Sequence, residues 1–163
     1  MARIAIPDGE LPERYRLFAL QPAMGKALAG LSQAIYEKSI LGLRVREAVR
    51  MRIAQINQCQ ICLSYRFPEQ AEAFAALDIN EYFYAAVAGW QHSAVFDEQE
   101  AIAIEYAERF ATNHLSLDEA FFKRLHAHFS DAEIFDLTAV IGGLLANGRL
   151  MQVLQVEQQS CAL

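Results

Sequence analysis

Basic excess is missing from this sequence: 14 Lys and Arg stand against 20 Asp and Glu, giving a net charge of -6 and a pI near 5.2. Binding phosphates or anionic lipid takes clustered cations, so neither nucleic acid nor a membrane is expected as a partner. The basic residues do gather locally at Arg44, Arg46, Arg50 and Arg52, a group that reads as the solvated face of a helix. Cysteine is scarce, with three in 163 residues, too few for the disulfide framework of a secreted domain. Long apolar runs are also lacking. The strongest, Leu137 to Ala146, is interrupted by Gly142 and Gly143 and falls short of the ~20 residues a membrane span needs. The opening MARIAIPDGELPERYR carries no apolar stretch of signal-peptide length and meets acidic residues early, so a cytoplasmic protein is expected.

Strand-like alternation is absent too. The apolar spacing is helical almost everywhere, which predicts an all-α fold. At 163 residues and 54% hydrophobic, the chain can bury the core of one domain but is too short to argue for two. Residues 1–10 and 157–163 are expected to be peripheral tails. Pro22 opens a helix to about Ser39, and Gly42 punctuates before a second from about Leu43 to Ile56. Asn57 is expected to break and recap the chain. A third helix should start near Cys59 and end or kink before Pro68, which restarts it from a first-turn position. Asn80 can cap a short helix through Trp90, and another runs from Phe96 to Ala111. Two capping boxes, Ser116 with Glu119 and Ser130 with Glu133, start the last two helices, the second reaching about Val156.

What the sequence does contain is EAVRMRIAQINQCQICLSYR, from Glu47 to Arg66. It sets Cys59 and Cys62 at i and i+3 behind a helix that carries a lone acidic residue. Thiols so spaced can share a helix face and close a disulfide, and a thiolate near a helix N-terminus is favoured by the unpaired N–H groups there. Dithiol redox chemistry is therefore the leading functional idea. Zinc is the next alternative, since a Cys-x-x-C is half of a tetrahedral site, but the sequence offers no second Cys-x-x-C, Cys-x-x-His or His-x3-His pair. Neither metal nor cofactor is expected. Inert, buried thiols in a redox-silent small-molecule binder are a further alternative. Cys161, in the polar tail EQQSCAL, reads as a spare thiol.

Glu47, eleven intervening residues and then Cys59-Gln60-Ile61-Cys62 resemble the core motif of the carboxymuconolactone decarboxylase superfamily, specifically its alkylhydroperoxidase AhpD-like branch, whose signature is Glu-x11-Cys-x2-Cys-x3-His. LRVREAVRMRIAQINQCQIC, AGWQHSAVFDEQEAIAIEYAERFAT and AHFSDAEIFDLTAVIGGLLANGRL are each similar to segments of that branch, so the resemblance covers most of residues 11–155. It implies one AhpD-like helical domain with the motif straddling two antiparallel helices, assembled as a trimer or hexamer. It further implies a peroxidase-type, antioxidant enzyme acting on a small hydroperoxide and recharged by a thiol or lipoyl-type reductant. Cys62 would attack the peroxide, Cys59 would resolve the sulfenic acid as a disulfide, and Glu47 would belong to the proton relay.

Arg66 departs from the pattern, standing where such peroxidases place a His. A guanidinium stays protonated and cannot take the thiol proton. It could stabilise a Cys62 thiolate and pair with Glu47, although Pro68 could tilt it away. Tyr65 is a poor base at neutral pH and reads as a packing residue. Among His92, His114, His126 and His128, all remote from the motif, His92 is the best replacement because Trp90 and Phe96 flank it. Two other activities fit the resemblance: a thiol-disulfide adaptor, which needs no peroxide pocket, and a carboxymuconolactone decarboxylase, against which the retained cysteines argue.

Overall fold

A computed structural model describes residues 2–156, and every regular element among them is helical. In chain order these are α1 (Glu13–Arg16), α2 (Pro22–Glu37), α3 (Leu43–Asn57), α4 (Gln60–Ser64), α5 (Ala71–Ala76), α6 (Glu81–Ala86), α7 (Glu98–Thr112), α8 (Glu119–His126) and α9 (Asp131–Leu154). Short 3₁₀ turns join several of them. Cys161 lies outside the described residues.

The sequence of α3 makes it the central element. Val45, Val49 and Ile53 recur at i, i+4 and i+8 and pack with Ile102 and Tyr106 of α7 and with Leu137, Val140 and Ile141 of α9. A second face carries Ala48 and Met51 into another cluster with Phe67, Phe74, Phe83, Tyr84 and Val87. Ten of the 15 residues of α3 are buried, so its polar residues must find partners inside the protein. This corrects the reading of the arginine cluster as a solvated face: Arg46 and Arg50 are 5% and 3% exposed. Arg46 donates to the Tyr36 carbonyl and to the Gln70 side chain, and Arg44 pairs with buried Glu100 at 2.5 Å.

Helix α9, at 24 residues, outruns the apolar stretch read from the sequence and is long and apolar enough to cross a membrane by length and composition alone. Here it carries Leu137, Val140 and Ile141, all fully buried, into the core shared with α3. Gly143 lets α2 close onto it, since a Cβ there would stand 2.6 Å from Ile35 Cδ1. The N-terminal segment reaches the far end of α9, where Arg3 donates to the carbonyls of Leu154 and Val153 at 2.8 and 3.0 Å.

Several helix ends form as the sequence predicts. Pro22 occupies the first turn of α2, Gly42 precedes α3, Asn80 accepts from the N–H groups of Tyr82 and Phe83, and Ser130 with Glu133 forms a reciprocal capping box. Two others differ. Ser116 ends a 3₁₀ turn and bonds back to Asn113, while Asp118 caps α8 by accepting from Phe121 N–H at 2.9 Å. Asp caps as well as Ser, and the inward face Phe121 and Leu125 fixes which of the two sits at the boundary. Asn57 does not break the chain either. It remains in α3, held by α9 through the carbonyls of Leu144 and Leu145, and the break falls at Gln58, whose φ of 54° is left-handed.

Candidate active site

The turn at Gln58 reverses the chain and sets both cysteines. Cys59 N–H donates to the Ala54 carbonyl at 3.1 Å, which seats Cys59 as the cap of α4. Its Sγ accepts from Cys62 N–H at 3.3 Å, and the two sulfurs form a disulfide across a Cα separation of 5.2 Å. Gln152 of α9 steadies the turn by donating to the Gln58 carbonyl at 2.6 Å. The two cysteines differ in access: Cys59 is only 2% exposed, whereas Cys62 is half-buried.

Glu47 lies on α3 eleven residues before Gln58 and is fully buried. Its Oε2 accepts from Arg50 Nε at 2.8 Å and from the Tyr84 hydroxyl at 3.1 Å, while Oε1 has no hydrogen-bond partner. Arg50 then reaches the motif itself, donating to the Cys62 carbonyl at 2.7 Å and to the Tyr65 carbonyl at 3.4 Å. One guanidinium thus links the carboxylate to the backbone of Cys62. Burial opposes the charge on Arg50, but Glu47, Tyr36 and Tyr84 together hold its pKa above the ordinary value. Burial, with the charge of Glu47 adding to it, pushes the Tyr84 hydroxyl up to about 12, so it remains a proton donor to the carboxylate at neutral pH.

Arg66 does not pair with Glu47. It forms a bidentate ion pair with Glu81 of α6 at 2.8 and 2.9 Å, donates to the carbonyls of Leu63 and Tyr65, and lies 3.9 Å from the centroid of the Tyr84 ring. The physical reason is local. Arg50 follows Glu47 by three residues on the same helix face, whereas α4 has ended at Ser64 and an extended Tyr65 carries Arg66 toward α6. Tyr65 packs edge-on against Phe67 at 4.7 Å between centroids, as its packing role requires. His92, His114 and His126 are exposed and His128 is half-buried. Among the described residues no group of three or more His, Cys, Asp and Glu could hold a metal ion.

A cavity of about 440 Å³ opens beside α4, with Ile61, Arg66, Phe67, Phe74, Glu81 and Tyr84 among its walls. The cysteines are not wall residues, but Ile61, which stands directly before Cys62, is. The arrangement offers a closed cysteine pair, a buried carboxylate with one oxygen lacking a hydrogen-bond partner, and a mostly apolar space walled by a neighbour of each, Ile61 and Tyr84. Arg50 was legible in principle as a Glu-Arg pair at i, i+3; Tyr84, 37 residues from Glu47, carried no such signal.

No family model matches the chain. It is 32% identical over 123 residues to the uncharacterized protein YnjA of Escherichia coli (strain K12), a match spanning 76% of this chain and 65% of that relative's length. Among solved structures, a protein of unknown function from Agrobacterium tumefaciens, ATU0492, named as a candidate antioxidant defence protein AhpD, superposes with a TM-score of 0.70 at 23% identity, covering 87% of this chain and 94% of that one. The fold is AhpD-like. The same AhpD-like fold is shared with the debrominase Bmp8, solved as a cysteine-to-alanine variant in complex with 2,3,4-tribromopyrrole; it gives a TM-score of 0.74 at 19% identity over 93% of this chain and 79% of that one. In this fold Cys59 caps α4 at the turn after α3, Cys62 lies in the first turn of α4, and Arg50 links the Cys62 backbone to Glu47.

Proposed function

We propose that the chain is a thiol-dependent hydroperoxide reductase that serves antioxidant defence in the cytoplasm. The observation that carries this reading is the closed Cys59–Cys62 pair, joined through Arg50 to the buried, half-partnered carboxylate of Glu47. Cys62, the more accessible thiol, attacks a small organic hydroperoxide, and Cys59, held inside, resolves the sulfenic acid before it can oxidise further. Glu47 receives the thiol proton. A thiol or lipoyl-type donor then reopens the disulfide, and the working unit is a homo-oligomer, a trimer or hexamer as in the family it resembles. Arg66 is no base in this scheme; its guanidinium forms part of the cavity wall, fixed by Glu81.

A second reading, a thiol-disulfide adaptor serving a separate peroxidase, is favoured by the guanidinium in the position where relatives need a base. Mass spectrometry after mixing reduced protein with one equivalent of an organic hydroperoxide separates the two. Fast growth of the Cys59–Cys62 disulfide, lost in Cys62→Ser and arrested at a sulfenic acid in Cys59→Ser, supports the reductase. Oxidation no faster than that of free cysteine, with rapid exchange against a dihydrolipoyl or thioredoxin-like donor, assigns the adaptor instead. Because the fold also hosts a debrominase, 2,3,4-tribromopyrrole belongs in the same assay as a competing substrate.

A further inference from the structure

The cavity and the buried carboxylate meet at one side chain. Tyr84 is 4% exposed, lines the cavity, and donates its hydroxyl to Glu47 Oε2 at 3.1 Å. Three charged groups surround it: Glu47 and Arg50 from α3, with the Arg50 guanidinium 5.6 Å from the ring centroid, and Arg66 from the segment after α4, at 3.9 Å on the ring. The other oxygen of Glu47 is buried and unpartnered, so the carboxylate has one oxygen free to receive a proton and the other already coupled to a hydroxyl at the cavity wall. No imidazole stands at position 66 to move protons between thiol and substrate.

We propose that Tyr84 is the proton donor to the leaving oxygen of the hydroperoxide, supplied in turn by Glu47. The assignment rests on the reductase reading and adds a residue to it. Glu47 Oε1 takes the Cys62 thiol proton, and the thiolate sulfur attacks the terminal oxygen of ROOH. The O–O bond breaks and the S–O bond forms, so that sulfur is oxidised by two electrons and the peroxide is reduced by two. The departing RO⁻ takes the proton of the Tyr84 hydroxyl, and the Glu47 carboxyl, turned so that its newly protonated oxygen faces Tyr84, returns the proton that came from Cys62 and restores the hydroxyl. Cys59 sulfur then attacks the sulfenic acid, releasing water and closing the disulfide. Two thiols and ROOH become a disulfide, ROH and water, with every proton accounted for.

The test is single-turnover disulfide formation by reduced protein with cumene hydroperoxide, in H₂O and D₂O across pH, for the natural chain, Tyr84→Phe, and a chain with 3,5-difluorotyrosine at position 84. Tyr84→Phe is expected to slow the chemical step by about a hundredfold, the scale of positioned proton transfer, and to change the solvent isotope effect, with little change in apparent KM. The difluorotyrosine chain, which keeps the ring and a more acidic hydroxyl, is expected to react faster than Tyr84→Phe and to shift the pH profile toward acid. Equal rates and isotope effects in the natural chain and Tyr84→Phe would overturn the role of Tyr84 and leave the reductase standing. A slower Tyr84→Phe with an unchanged isotope effect, and no shift with difluorotyrosine, would also overturn it, assigning the hydroxyl a structural part. If the natural chain itself reacts no faster than free cysteine, the reductase reading and the Tyr84 assignment fall together.

Discussion

Two faces of α3 are buried to a similar depth by different chemistry. Val45, Val49 and Ile53 meet α7 and α9 through apolar packing, while Glu47 and Arg50 meet α4 and α6 through an ion pair, a tyrosine hydroxyl and two backbone carbonyls. The first face gains from area removed from water and tolerates side chains of similar shape. The second must satisfy each polar atom, and leaves Glu47 Oε1 without a hydrogen-bond partner. The difference teaches that burial alone does not define a face: the apolar one asks only for shape, whereas the polar one keeps a carboxylate oxygen inside the protein without a hydrogen-bond partner.

The largest expected break in that comparison is Arg50→Met, which leaves the Glu47 carboxylate buried without its guanidinium. Urea unfolding should show a loss of about 3–5 kcal/mol, and the double variant Glu47→Gln with Arg50→Met should regain much of it. A cost below about 1 kcal/mol for Arg50→Met would mean that the pair is not buried as described. On the apolar face, Leu137→Ala should cost about 2–5 kcal/mol, yet leave the rate of Cys59–Cys62 oxidation in the folded protein unchanged. A matching fall in that rate would show the two faces to be coupled.

Smaller changes sharpen the picture at the edges. Asp118→Ala should lose about 1 kcal/mol while Ser116→Ala stays within about 0.5, because only Asp118 caps α8; thermal melts that ranked them in reverse would restore Ser116 as the cap. The ion pair lost in Arg66→Ala contributes little, because its partner Glu81 is 79% exposed and screening holds the pair's share below about 1 kcal/mol. Arg66 keeps the Glu81 carboxyl below its ordinary value of 4.5. A depressed carboxyl stabilises the fold above its unfolded pKa, and that contribution is lost as pH falls through the folded value. The part of the gap between natural and Arg66→Ala stabilities that Glu81 carries should therefore be present at neutral pH, be lost as pH falls below about 4.5, and narrow in high salt. A gap of the same size at pH 7 and pH 2 would show that Arg66 stabilises only through the Leu63 and Tyr65 carbonyls and the Tyr84 ring.

The apolar face was legible in the sequence because period and side-chain type carry the same message: Val45, Val49 and Ile53 announce both a helix and its inward side. The cysteines and Glu47 were legible through their spacing. Arg46 and Arg50 were misread because sequence shows charge but not burial, and a central helix inverts the usual rule that arginine lies outside. A pairing of Arg66 with Glu47 rested on its place in the motif alone, whereas the extended backbone at Tyr65 sends it to a residue 15 positions on. Tyr84 was invisible because its only link to the motif is the fold.

The anchors of the α3–α4 turn have one more consequence. Arg50 grips the Cys62 carbonyl and Gln152 grips the Gln58 carbonyl, so neither holds a sulfur. Opening and closing the disulfide then asks for rotation of two side chains on a stationary frame, like a clasp worked without moving the strap. On that frame, amide exchange at positions 58–61 and 63 should be nearly the same in the oxidised and reduced protein, with any difference concentrated at Cys62, whose N–H bonds the Cys59 sulfur.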